Sequence, residues 1–81
     1  MRRAVVIREI KAAAKARVLF FTDHAVRAML DDGETKESVS DAIAHASAFV
    51  LQSDGTWRVR GDDLTAIVAV RAGVIVVTIF V

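Results

Sequence analysis

His24, Arg27, Arg58 and Arg60 are the residues of this chain whose types and spacing could do chemistry. His24 and Arg27 stand three apart in FTDHAVRAML, which puts them on nearly one face of a helix. An unperturbed imidazole titrates close to neutral pH, so a histidine is the first choice for moving protons there. The chain has only two histidines and no Cys or Tyr, which makes His24 the leading acid–base candidate. Arg58 and Arg60 alternate with Trp57 and Val59 in TWRVR, so on a strand they share a face about 7 Å apart. Guanidinium forks at that spacing suit neighbouring phosphates or one bridged phosphate. The alternative for this pair is ion pairing with Asp62, Asp63 or acids on a nearby helix. These four residues are candidates for acid–base work and phosphate binding.

Each candidate also has a structural reading. His24 could tether the loop before its helix or pack partly buried. His45 shares a polar side with Ser38 and Asp41 and reads as a surface histidine. Trp57 either stacks on a base or anchors the core with Val59. Thr78 interrupts an apolar strand, so its hydroxyl either lines a substrate site or bonds a neighbouring backbone group. No GxSxG, P-loop, paired zinc ligands or glycine-rich nucleotide turn is present. Without cysteine there is no thiolate zinc site, and neither a metal nor another cofactor is expected.

Three helices must position these residues. Ile7, Ile10 and Ala14 make an apolar stripe over residues 3–16. Arg8, Lys11 and Lys15 repeat that spacing one residue later, giving a basic stripe that either binds phosphates or an acidic partner or is a solvated face. Residues 18–21 are a short strand or an extended connection. Thr22 or Asp23 then caps a helix running to about Asp31, with Val26, Met29 and Leu30 toward the core. His24, Arg27 and Asp31 fall on another side, and Gly33 is the stop. Thr35 caps a third helix, with Glu37 in its first turn and Val39, Ala42, Ile43 and Ala46 as its apolar face.

Beyond residue 46 the period changes to that of strands. Residues 47–52 and 56–60 flank Asp54-Gly55, a strong hairpin signal. Gly61-Asp62-Asp63 and Ala72-Gly73 turn into strands over 64–70 and 74–80. The expected fold is α+β, with two to three N-terminal helices packed on a four-stranded antiparallel meander. In the last two strands, Ile67 and Ala69 oppose Ala66, Val68 and Val70, and Ile75, Val77 and Ile79 oppose Val74, Val76 and Phe80. Both faces are apolar, whereas a wet face should alternate to polar residues. Both are therefore expected to be covered, the second by the N-terminal helix, a second copy or a partner.

The 81 residues suffice for one domain, 1–81. The apolar stretches are too short to span a membrane, and Arg8, Glu9 and Lys11 interrupt the N-terminal apolar patch too early for a signal peptide. With no cysteines, the expected location is cytoplasmic. Residues 1–17 set Arg2, Arg3, Arg8, Lys11, Lys15 and Arg17 against the single acid Glu9, while the rest is mildly acidic. Such a segment would meet phosphates or an acidic partner.

FTDHAVRAML, GETKESVSDAIAHA and WRVRGDDLTAIVAVRAGVIVVTIF, in that order, resemble a widespread family of small bacterial domains of unknown function. That family is built on an S/T-x-H-A-x-x-R-M motif and a terminal meander. It is similar to MqsR-type toxins and, more distantly, to the RelE and barnase-like ribonucleases. The resemblance spans roughly residues 18–80, and His24–Ala25 and Arg27–Ala28–Met29 carry its most specific part. It implies a RelE/barnase-like fold and a ribonuclease-like toxin, an endoribonuclease, paired with a cognate antitoxin. On that pattern His24 and Arg27 match the helix motif, and Arg58, Arg60 and Thr78 match polar sheet positions. Two departures are visible: Asp31-Asp32 replace the usual basic residue before Gly33, and the tyrosine common in such active sites is absent. The alternatives are a non-catalytic protein-interaction or dimerisation module of the same fold, including a homodimer, and a plain RNA binder.

Overall fold

The computed structural model describes residues 2–81. Three helices and five strands follow one another as α1 (Arg3–Lys15), β1 (Phe20–Phe21), α2 (Asp23–Asp32), α3 (Lys36–Ala44), β2 (Ala48–Leu51), β3 (Trp57–Arg60), β4 (Thr65–Val70) and β5 (Val74–Phe80). The class is α+β, as expected, but the sheet is not a four-stranded antiparallel meander. Its order is β1-β5-β4-β3-β2, and β1 runs parallel to β5 while the other pairs are antiparallel. Of the two readings of residues 18–21, the short strand holds at Phe20–Phe21, although two residues are too few to carry a periodicity. The free edge of β5 creates it, pairing Phe20 with Ile75 and Phe21 with Val76.

Local chemistry sets the helix ends. Thr22 caps α2, its Oγ1 accepting from the Ala25 N–H at 3.0 Å. Gly33 ends that helix in the left-handed region at φ 70°, which costs glycine little. Thr35 and Ser38 form a reciprocal box on α3: the Ser38 N–H donates to Thr35 Oγ1 at 3.0 Å, and the Thr35 N–H to Ser38 Oγ at 2.9 Å. Helix α1 stops with a non-glycine residue at positive φ, Arg17 at 60°. Its guanidinium compensates, donating to the Ala14 carbonyl at 3.2 Å and pairing with Asp41 at 2.6 Å.

All three helices pack on one face of the sheet. The core joins Ile10 and Ala14 of α1, Ala25 and Met29 of α2, and Val39 and Ile43 of α3 to Phe49, Trp57, Val59, Ala66, Val68, Val74, Val76 and Ile79. Leu30, expected inside, is 74% exposed. The buried stripe of α2 runs through Ala25 and Met29, and Leu30 sits one residue, about 100°, around the helix from Met29.

A β-bulge decides the facing of β5. Ile67 pairs with Thr78, but Val68 pairs with Val76, so Val77 is left over. The extra residue inverts the alternation, as bulges do. Ile79 therefore joins Val74 and Val76 in the core, not Ile75 and Val77 as the period-two reading has it. Without the bulge, Thr78 would point into the core and Ile79 out of it.

The second sheet face has no helix over it, contrary to the expectation that both faces are covered. α1 packs on α3, on the side already occupied. Among the described residues no helix is long and apolar enough to cross a membrane.

Candidate functional site

The open sheet face holds Arg58 and Arg60. Both are exposed, because they alternate with Trp57 and Val59, which are buried against the helices. Register extends the face across the sheet. Val50, Arg58, Ile67 and Thr78 make one row; Ala48, Arg60, Thr65 and Phe80 make the next. Beyond them Ala69 meets Ile75, and Ile75 meets Phe20. One end of the face is therefore polar and cationic, and the other is apolar. Phe20, Val50 and Phe80 are more than half exposed.

A cleft of about 340 Å³ lies at the cationic end, lined by Arg58, Arg60, Asp62, Asp63, Thr65 and Phe80. Among the described residues the one ion pair is Arg17–Asp41, so neither arginine is paired with Asp62 or Asp63. This leaves the guanidinium donors free for a ligand. Thr78 lies outward, half-buried, opposite Ile67. Trp57 takes its structural role: it is 2% exposed and lies in the core.

His24 and Arg27 are elsewhere. Both are exposed on α2, in the helix layer, while Ala25 and Met29 of the same motif turn into the core. Neither makes a side-chain hydrogen bond or ion pair with another described residue. The sheet lies between this layer and the face carrying Arg58 and Arg60, so the structure does not bring the two pairs together. The arginine of this chain also falls one residue earlier than the S/T-x-H-A-x-x-R-M pattern puts it. At position 27 it points to solvent, whereas position 28 holds a half-buried alanine packed on the core.

The basic stripe of α1 is divided. Arg8 and Lys15 are exposed on the helix layer. Lys11 leans over the Phe49 ring, 5.8 Å from its centroid. Arg3 hydrogen-bonds the Phe49 carbonyl and lies 5.6 Å from the centroid of Trp57. Strand β2 is a sheet edge, and these two cations guard it. No motif announces Arg3 in the sequence; its role depends on β2 arriving beside α1.

A second cleft, of about 400 Å³, is lined by Glu34, Ser38, Asp41, His45, Asp62 and Asp63. Here the polar side shared by Ser38, Asp41 and His45 becomes a surface. His45 Nδ1 lies 3.0 Å from the Asp41 carbonyl, and Ser38 Oγ donates to Glu34 Oε1 at 2.7 Å. The Asp62–Asp63 turn is the ridge between the two clefts. Among the described residues no group of His, Cys, Asp and Glu is arranged to hold a metal ion.

Compared with protein-family models, with curated proteins and with solved structures, the chain matches none.

Proposed function

We propose that this chain is a protein-interaction module and that it docks through the open face of its sheet. One observation supports this above the others. Three helices pack on a single sheet face, while Phe20, Ile67, Ala69 and Ile75 lie on the other. A solvent face of antiparallel strands ordinarily alternates to polar residues; here half-buried Ile67, Ala69 and Ile75 lie among the exposed Phe20, Val50 and Phe80, and apolar surface of this kind marks interaction sites. The basic residues are split between Arg8 and Lys15 on one layer and Arg58 and Arg60 on the other. That arrangement is a poor electrostatic track for a polyanion. The test is co-purification with the product of an adjacent reading frame, comparing the wild type with Ile67→Glu, together with the solution mass of each. Binding or self-association by the wild type that is lost in the variant supports the reading. A wild type that neither self-associates nor binds that product sinks it.

A second reading keeps the ribonuclease-like toxin paired with an antitoxin, and the unpaired Arg58 and Arg60 favour it. On this reading RNA lies across the same face. The arginines hold phosphate, Phe80 in their cleft stacks on a base, and Thr78 stands beside the strand. His24 and Arg27 then act apart from the arginines rather than in one constellation with them. The measurements are growth and bulk RNA after induction of the protein alone, and RNA affinity against salt. Arg58→Ala with Arg60→Ala is expected to lower the salt slope by about 2, and His24→Ala to leave binding unchanged. Absence of RNA binding at low salt ends this reading. Both readings place the chain in the cytoplasm, on its cysteine-free composition.

A further inference from the structure

We infer that the free edge of β2 takes up an extended acidic segment of a partner protein, which joins the sheet as an added strand. This edge is a surface apart from the open face. Of the two sheet edges, β1 offers two residues and β2 four. The bonds between β2 and β3 fix which groups of β2 point away from the sheet. The Gln52 N–H donates to the Thr56 carbonyl at 2.8 Å, so these two residues are a hydrogen-bonded pair. Bonded and non-bonded pairs alternate in an antiparallel ladder, so Val50 with Arg58 and Ala48 with Arg60 are bonded pairs too. Phe49 and Leu51 lie between them and direct N–H and C=O outward. The Phe49 carbonyl is the acceptor that Arg3 reaches, as that direction requires. The Phe49 N–H and both backbone groups of Leu51 have no partner outside the ladder.

Charge selects what can pair there. Arg3 sits on the Phe49 carbonyl, and the Lys11 ammonium lies 5.8 Å from the centroid of the Phe49 ring. Among the described residues neither cation has an acidic partner. Asp54, at the tip of the same hairpin, is held by Thr56. A second copy of this edge would set its own Arg3 and Lys11 against them and be repelled. A neutral strand would take the Phe49 carbonyl from Arg3 and return nothing to the guanidinium. A strand with acids at the two positions paired with Phe49 and Leu51 meets both needs. Its N–H replaces Arg3 on the Phe49 carbonyl. Its carboxylates, two residues apart on the helix side, receive Arg3 and Lys11. The residue between them falls on the other side, beside exposed Val50, where an apolar side chain fits. The segment recognised is therefore acid–apolar–acid in extended form.

Backbone amide NMR of the full chain, titrated with a short peptide of alternating Glu and Val, tests this. The expected result is saturable binding that moves the Phe49 and Leu51 amide signals most and weakens as salt rises. The same peptide with Lys for Glu is expected not to bind. Arg3→Glu/Lys11→Glu should lower affinity by about tenfold or more. N-methylation of the peptide's Glu residues removes the N–H groups that pair with β2 and should abolish binding without touching the fold of the protein. Ile67→Glu, on the open face, should leave binding unchanged. No binding of the Glu–Val peptide overturns the inference. So does binding that survives charge reversal at Arg3 and Lys11, or that is indifferent to N-methylation. Loss of binding in Ile67→Glu, with the β2 signals unmoved in the wild type, assigns the peptide to the open face and overturns it as well.

Discussion

The hydroxyl of Thr22 donates to the carbonyl of Val77 at 2.7 Å while accepting from the Ala25 N–H at 3.0 Å. One side chain therefore caps α2 and ties it to the bulged residue of β5. The Thr22 N–H adds a bond to the Val76 carbonyl at 3.1 Å. The helix start, the parallel pairing of β1 and the bulge are joined at one point.

Thr22→Val is expected to lose both hydroxyl bonds while keeping the shape, and to destabilise the chain by about 2 kcal/mol. Thr22→Ser should recover most of that. Urea unfolding of the three proteins measures it. Equal midpoints for Val and Thr would show that the tether adds nothing.

Deleting Val77 removes the bulge and forces strict alternation on β5. With the extra residue gone, Thr78 would take the outward place of Val77 and Ile79 would stay in the core opposite Ala66. No side chain changes face, so the cost is limited to the Thr22 tether to the Val77 carbonyl, about 1 kcal/mol. Thr78→Val, by contrast, changes an outward side chain and should shift stability by less than about 0.5 kcal/mol. Thermal or urea unfolding separates the two outcomes.

At Arg17 a positive φ of 60° is set against an exposed ion pair with Asp41. The left-handed conformation costs a non-glycine residue about 1 kcal/mol, and such pairs contribute about 0.2–1 kcal/mol. Arg17→Gly should therefore be neutral to slightly stabilising. Arg17→Ala keeps the strain, loses the pair and should be the less stable of the two. Denaturant midpoints decide it; a glycine variant clearly less stable than the wild type would mean that the guanidinium outweighs the backbone strain.

The carboxyl of Asp54 is held below its ordinary range, first by the Thr56 hydroxyl at 2.6 Å and then by the Thr56 N–H at 3.0 Å. A folded-state value below the unfolded one means the carboxylate favours folding above the ordinary carboxylate range. That contribution is lost as pH falls through this range toward the folded value. An NMR titration should place the Asp54 midpoint higher in Thr56→Val than in the wild type. Identical midpoints would remove the hydroxyl as the cause.

Much of the fold was legible because its signals are local. The three helices announce themselves by apolar spacing and by Thr22, Gly33 and Thr35 at their ends. Asp54-Gly55 and the alternation of Trp57 and Val59 with Arg58 and Arg60 set a hairpin and the shared facing of two arginines. The outward placement of His24 and Arg27 also follows from helical period alone.

Tertiary structure decided what depends on segments far apart in the chain. Phe20 and Phe21 are a strand only because β5 has a free edge, and Thr22 meets Val77 across 55 positions of sequence. The bulge puts Ile79 inside and Thr78 out, which no period-two pattern carries. Above all, the side of the sheet chosen by the helices settled the candidate site. Periodicity determines which residues share a face of one element, but not which layer that element joins. His24 and Arg27 went to the helix layer, Arg58 and Arg60 to the open face, and the sheet lies between them.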